Sequence, residues 1–314
     1  MRFGNYRRPR GHTFHDSTNR RPVRLYLAAV LALVSVLCLT LAAVSFVRSA
    51  RTKYQNDQYA QWRDTALTAR AATLRLAVQR MGLPDGSVIP EDDMLDGSET
   101  DGDIVTKTIY HHITEQYLPE MAAMRQRNGD LAGWLRIPGI LDLPVVYFNN
   151  EWYLTHDFEG GKNASGTLFL DEAHPVSERT QHLLIHGHNM KDGSMFGLMT
   201  HYLRADYLKQ HPFLTFSTLW EKEEYVVFAV LRISPVPGDS GFFDYLSHPV
   251  FASDAAFEDY IAELRGRSLC RTYINVRPSD ALLTLSTCVG SERLLIVARR
   301  IRMNESIQSL KEMV

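Results

Sequence analysis

Two stretches of this 314-residue chain place reactive side chains where an apolar run ends. One is HLLIHGHNM, from His182 to Met190; the other is LSTCVGSERLLIV, from Leu285 to Val297. Each reads as a β-strand running into polar groups, and strand ends at the rim of a β-domain are where a rigid scaffold presents chemistry. Cys288 closes one run, His188 follows the other, and Arg293 opens the next strand. Together they are the parts for acyl transfer through a thiol. A thiol attacks as its thiolate. A nearby imidazole takes the proton or pairs with the thiolate as imidazolium. A guanidinium within reach stabilises the oxyanion of a tetrahedral intermediate and does not lose its own proton.

Plainer readings stand beside this one. A cysteine in an apolar strand is usually a small buried hydrophobe, which suits Cys270 better than Cys288. His188 could cap a turn, His186 could be a satisfied core residue, and Arg293 could be a surface charge. His186 and His188 lie two apart, so in extended chain they face the same way. With Cys288 they could begin a zinc site, although the next acid, Asp192, is four residues past His188 in what reads as a turn. A papain-like protease places its cysteine before its histidine; here the histidine comes first by 100 residues. Of the three cysteines, Cys38 lies in an apolar run, and Cys270 and Cys288 could form one disulfide or stay as thiols.

These groups must be held by a scaffold, and from about residue 130 the sequence has the texture of one. Short apolar runs (LAGWLRI, LPVVYF, GTLFLD, HLLIHG, EYVVFAVLRI, TYINV, ALLTLSTC, RLLIVARRI) alternate with Gly, Pro, Asn and Asp. That pattern predicts a mostly antiparallel β-domain, sandwich or barrel. Helical patches are expected near 194–203 and over 254–265, the latter with Ser253 as N-cap and Phe257, Tyr260, Ile261 and Leu264 on one face. Before the β-domain, a helix is expected over 54–81, with Leu67, Ala71, Leu74, Val78 and Met81 as an apolar stripe stopped by Gly82-Leu83-Pro84. A second is expected over 104–126, with Pro119 kinking or breaking it. Between them, residues 84–103 are rich in acids, contain no base, and read as a solvated loop.

Leu25 to Val47 is a run of 23 residues without charge, Gly or Pro. At about 1.5 Å per residue it is long enough to cross a hydrocarbon core of about 30 Å. It is longer than a signal-peptide core, and Ser49-Ala50 makes a poor cleavage site. Seven arginines and one acid precede it in the first 24 residues, so the positive-inside bias puts the N-terminus in the cytoplasm and everything after residue 48 outside. The expected organisation is a basic tail (1–24), a transmembrane helix (25–47), a helical stalk with the acidic loop (48–103) and a catalytic domain (104–314). Composition, 45% hydrophobic and 22% charged, supports a packed globular core, and a net charge of −2 gives no reason to expect a nucleic-acid partner.

The two reactive stretches resemble the sortases, which carry a Gly-His pair at one strand end and a Leu-x-Thr-Cys strand with an arginine shortly after it. Here these are Gly187-His188 and Leu285 to Cys288, then Arg293. Class B is resembled in particular, through GWLRIP (133–138), YLTHDF (153–158), GTLFLD (166–171), GHNMKDGSMF (187–196) and the LSTC form itself. The resemblance covers about 104–302. It implies a closed sortase β-barrel with helices on its N-terminal side and a helix before the last two strands. The activity it implies is transpeptidation without metal or cofactor. A surface protein is cut at a C-terminal sorting motif after Thr, held as a thioacyl-enzyme, and passed to an amine of a peptidoglycan precursor or a pilin Lys. By position, Cys288 is the nucleophile, His188 its acid–base partner and Arg293 the oxyanion group. Ser286, Thr287, His186 and Asn189 make up the expected substrate-binding set. Water in place of the amine would make the same site a hydrolase, and a dead site would leave a non-enzymatic wall-binding module. The chain departs from class B in having only four residues between Cys288 and Arg293, with Arg299, Arg300 and Arg302 as rival arginines. It also has His186 where class B often has Tyr.

Overall fold

A computed structural model describes residues 20–80, 117–177 and 180–314. The expected basic tail up to residue 19, the acidic 84–103 stretch and residues 104–116 of the second expected helix lie outside the described residues, as do the side chains of the 54–81 stripe beyond residue 68. Two compact units divide the chain, residues 1–50 and 51–314. Helix α1 spans Arg20–Arg80; from Leu25 onward no Gly or Pro interrupts it, so the apolar run and the stalk helix expected separately form one element. In the first unit α1 carries a segment long and apolar enough to cross a membrane, with leucines and valines such as Leu33 and Leu39 facing outward.

The second unit is built on a closed eight-stranded barrel. Its strands are β1 (Leu131–Ile137), β2 (Leu141–Val146), β3 (Leu168–Leu170), β4 (His182–His186), β5 (Phe213–Thr218), β6 (Lys222–Ile233), β7 (Leu282–Val289) and β8 (Glu292–Arg300), in spatial order β1-β2-β3-β4-β7-β8-β6-β5. Six pairings are antiparallel, as the sequence texture predicts, but β2–β3 and β4–β7 are parallel. The TYINV run at 272–276 is not a strand. Both edges of β6 are already taken by β5 and β8, so this segment lies on the barrel, with the Thr272 hydroxyl donating to the Phe228 carbonyl at 2.9 Å.

Alternation along the strands makes two cores. Leu183, Ile185, Leu283, Leu285, Leu294, Ile296 and Ala298 fill the barrel. Their neighbours Leu184, Leu282, Leu295 and Val297 point outward and are covered by Phe257, Tyr260, Ile261 and Leu264 of a helix at Asp254–Arg267. This is the helix expected before the last two strands. Its N-cap is Ser253, whose hydroxyl accepts from the Ala256 N–H at 3.2 Å. Because both faces of β7 and β8 are buried, those strands read as nearly continuous apolar runs. Each such side chain contributes roughly 1.5–3 kcal/mol on burial.

A third core forms on the N-terminal side. Helix α2 spans Pro119–Arg127, so Pro119 starts this helix at its first turn, where its missing N–H costs nothing. Met121 and Met124 pack with Tyr59, Leu131, Trp134, Tyr153, Phe158 and Phe169. The residues of α1 from Thr52 to Arg63 lie along this layer. Thr52 bonds Ser165 at 3.0 Å, Gln55 donates to Asp157 at 2.9 Å, and Arg63 pairs with Asp142 while lying 5.2 Å over the Trp134 ring. The side of α1 that meets the barrel is therefore carried by Thr52 to Arg63; of the expected apolar stripe, Leu67 is exposed and the side chains from Ala71 onward lie outside the described residues.

Candidate active site

The β4–β7 parallel ladder brings the two reactive stretches together. Its register aligns His182 with Leu282 and His186 with Ser286, so His188 runs out beside Cys288. Past the ladder the chains stay tied: Gly187 N–H donates to the Ser286 carbonyl at 3.2 Å, the Thr287 hydroxyl to the Gly187 carbonyl at 2.7 Å, and the Asn189 amide to the Cys288 carbonyl at 2.8 Å. Gly187 itself is required by space, because a Cβ there would collide with Leu168 and Phe196.

On the other side of β7, the β7–β8 hairpin pairs Cys288 directly with Arg293. Only Val289, Gly290, Ser291 and Glu292 separate them, and Gly290 takes the turn at φ +64°. The short connection therefore faces the guanidinium onto the thiol: Arg293 Nη1 donates to Cys288 Sγ at 2.9 Å. Cys288 is exposed and Arg293 partly so. Alternation places Cys288 on the same outward face as Ser286 and Leu282. The thiol thus sits on the barrel's outer surface and not in its packed interior.

The His188 ring is held from a third direction. Its Nε2 lies 2.8 Å from the Leu154 carbonyl, at the end of a 3-10 turn spanning Trp152–Leu154. A carbonyl only accepts, so Nε2 carries the hydrogen and Nδ1 is left to exchange a proton.

The expected substrate-binding residues are placed unequally. Asn189 spends its amide on the Cys288 carbonyl. Thr287 is buried on the opposite face of β7 with its hydroxyl engaged. Ser286 is fully buried beside the Tyr245 phenol. His186 is largely buried, and its Nε2 lies 3.0 Å from the Asp171 carboxylate. That carboxylate also meets His174 Nδ1 at 3.2 Å and takes hydrogen bonds from Asn150 at 3.0 Å and the Ala173 N–H at 2.9 Å. Burial alone would raise the Asp171 pKa; the bonds from His174 and His186 outweigh it and hold the group ionised well below the usual carboxylate range.

Three participants carry no signal in the sequence. The Leu154 carbonyl is a backbone group. Asp171 sits within the GTLFLD motif, but nothing marks its side chain as the partner of two histidines. Tyr245, from the loop after β6, is buried with Ser286, Arg293, Asp171 and Cys288 around it, and burial raises its phenol pKa. No local pattern distinguishes it from the other tyrosines.

The competing readings fare differently. Cys38, Cys270 and Cys288 are unbridged; Cys270 is partly buried, with its thiol pKa raised by that burial. Among the described residues no cluster of three or more His, Cys, Asp or Glu is arranged to hold a metal ion. The rival arginines are all committed to carboxylates: Arg299 to Glu305, Arg300 to Glu223, and Arg302 to Asp280 and Glu305.

No family model matches the chain. A curated relative does: sortase B of Listeria monocytogenes is 31% identical over 171 residues, covering 54% of this chain and 67% of the relative. The chain belongs to the class B sortases. Staphylococcus aureus sortase B is 24% identical over 197 residues, covering 60% of this chain and 78% of the relative. Among solved structures, Listeria monocytogenes sortase B superposes with a TM-score of 0.51 at 30% identity, over 56% of this chain and 97% of that one. Bacillus anthracis sortase B, solved in complex with AAEK1, gives 0.54 at 26%, over 60% and 87%. The family's members are cysteine transpeptidases, so this sortase is an enzyme of that type.

Proposed function

We propose that this sortase is a membrane-tethered cysteine transpeptidase that cuts surface proteins at a C-terminal sorting motif and joins them to an amine of the cell-wall precursor. The observation that carries the reading is the Arg293 guanidinium 2.9 Å from the Cys288 sulfur, on a β7 rim alongside the His188 segment. In this reading the Cys288 thiolate attacks the carbonyl carbon of the motif's threonine. Arg293 stabilises the resulting oxyanion. The scissile C–N bond breaks, and the departing amine takes a proton from the His188 imidazolium. The thioacyl-enzyme is then attacked by the acceptor amine, which gives a proton to the imidazole as the new amide forms and the thiolate leaves.

The four expected substrate-binding residues divide under this reading. Ser286 and His186 lie on the outward face of their strands, as Cys288 does, but Ser286 is covered by Tyr245 and His186 is held by Asp171, and they support the donor site from behind. Thr287 and Asn189, with their side chains spent across β4–β7, hold its floor. The apolar segment of α1, preceded by an arginine-rich tail, supports a single span with the N-terminus in the cytoplasm and the barrel outside.

The test is a mass spectrum of products from a sorting-motif peptide, with and without added amine. Amine-dependent formation of the joined product supports transfer. Acid product alone, at all amine concentrations, leaves a hydrolase. Residual turnover by Cys288→Ala removes the thiol mechanism altogether.

A further inference from the structure

We propose that the segment of α1 just after the apolar run is a positioning element of the active site, acting on His188 through the loop from Leu154 to Thr167. The proposal rests on the reading of His188 as the acid–base group. Thr52 follows the last residue of the apolar run, Val47, by five positions in sequence.

The loop is a closed unit with one output. It leaves the 3-10 turn at Leu154, whose carbonyl holds His188 Nε2, the one hydrogen bond of that ring among the described residues. The loop returns where Thr167 N–H donates to the Tyr153 carbonyl at 2.9 Å and the Thr167 hydroxyl to the His156 carbonyl at 3.0 Å. Midway, Asn163 N–H donates to the Thr155 carbonyl at 2.9 Å. Asp157 gathers the tip, accepting from Gly161 N–H at 2.8 Å and Glu159 N–H at 3.2 Å. Gly166, at φ +61°, passes under the Tyr153 carbonyl with no room for a Cβ.

The helix grips both arms of this loop. Gln55 Nε2 donates to Asp157 Oδ2 at 2.9 Å on the outgoing arm, and Gln55 Oε1 accepts from Asn163 Nδ2 at 3.0 Å on the returning arm. Thr52 and Ser165, both buried, share a hydroxyl bond of 3.0 Å one turn earlier. One glutamine thus bridges the arms of a loop whose root carries the carbonyl that orients the imidazole. Asp157 is buried, so an unclamped carboxylate there would draw in water and reshape the loop. A shift of the Leu154 carbonyl moves His188 relative to Cys288. A misplacement of about 1 Å can cost on the order of 100-fold in rate without removing any reacting group.

Arg63 supplies the internal control. It lies further along the same helix and binds Asp142 and Trp134 of the barrel, away from the loop. The experiment uses the full chain in detergent micelles with a sorting-motif peptide and amine, recording kcat, KM, the pH profile and Tm. The double variant Thr52→Ala/Gln55→Ala should lower kcat by about 10-fold with KM unchanged and move the limb of the pH profile that reports His188. Thr52→Ser, which keeps the hydroxyl, should behave as wild type. Arg63→Ala should lower Tm and leave kcat and the pH profile in place. The proposal is overturned if the double variant keeps wild-type kcat and pH profile, or if Arg63→Ala reproduces its kinetic change. Full activity of His188→Ala would instead remove the acid–base reading on which the proposal stands.

Discussion

Arg293 and Arg299 lie on one strand, six residues apart, and could hardly be used more differently. Arg299 is fully buried. Its guanidinium donates to both Glu305 oxygens at 2.6 Å and to the carbonyls of Asn275 and Arg300, with Asp280 at 3.9 Å. Arg302 joins the same two carboxylates, so the far end of the barrel holds two arginines against two acids. Arg293 is partly exposed, touches the Cys288 sulfur, and forms no ion pair with a carboxylate among the described residues. A cation already neutralised by a carboxylate fork has little left to offer an oxyanion. Arg293 has no carboxylate partner among the described residues, which leaves its guanidinium open to the oxyanion of the proposed mechanism.

The comparison breaks apart most sharply under substitution of the buried member. Arg299→Ala leaves Glu305 and Asp280 facing a cavity. Loss of one partner from a buried ion pair typically costs 3–5 kcal/mol, and chemical denaturation should show a loss of that order. The rate per folded molecule should be unchanged. Arg293→Lys should do the reverse. A lysine keeps the charge but not the planar fork, so kcat/KM should fall about 100-fold, the order seen when an oxyanion donor is removed, with the denaturation midpoint held. Near-normal turnover in Arg293→Lys would show that charge alone suffices at this position.

How much of this contrast was legible in the sequence depends on the range of the interaction that decides it. Arg293 could be singled out because it opens an apolar run five residues past Cys288, a local fact that a hairpin converts into contact. Ser253 as a cap and the 254–265 helix were legible for the same reason. Arg299, Arg300 and Arg302 remained rivals, because their partners Glu305, Glu223 and Asp280 are brought by other strands and turns. The parallel pairing of β4 with β7 joins residues 100 apart and leaves no local trace, yet it sets His188 beside Cys288. The family motifs supplied that juxtaposition by resemblance. Tyr245 and the Leu154 carbonyl belong to loops, where nothing periodic marks them.

A second contrast divides the histidines. His188 is at the rim and partly exposed, whereas His182, six residues earlier, is completely buried. His182 Nε2 meets the Thr284 hydroxyl at 2.8 Å and Nδ1 the His248 carbonyl at 3.2 Å, with the His174 ring 5.4 Å and the Tyr260 ring 5.8 Å away. Burial, helped by the neighbouring His174, pushes its pKa down from 6.5 to about 3. The folded protein therefore refuses a proton that the unfolded chain accepts. Stability is complete above pH 6.5 and falls as the pH drops toward 3. At about 1.4 kcal/mol per pH unit, the loss between pH 6.5 and 5 should be about 2 kcal/mol. Urea denaturation at pH 7.5 and pH 5 measures it. His182→Asn should flatten the difference between the two pH values, and an equal slope in the variant would rule His182 out as its source.

The smallest effect distinguishes two bonds that cross the same pair of strands. Thr287 ties β7 to the Gly187 carbonyl from the buried side, and Asn189 ties β4's extension to the Cys288 carbonyl from the exposed side. Thr287→Val leaves a buried carbonyl without its partner, which costs about 1–3 kcal/mol; the denaturation midpoint should register it. Asn189→Ala leaves a carbonyl that water can reach, so its stability cost should stay below about 1 kcal/mol. Its effect should appear at the sulfur, because the residue it releases is Cys288 itself. A fall of roughly threefold to tenfold in the rate of thioacyl formation, at constant Tm, is expected from the loosened geometry. Asn189→Asp sharpens the point, since a carboxylate cannot donate to the carbonyl and would place a negative charge beside the thiolate. If it slows acylation more than Asn189→Ala does, the amide's task is to hold Cys288 in place without adding charge. If the two variants behave alike, the bond matters only as a strand tie, and the exposed side of the pair is no different in kind from the buried one.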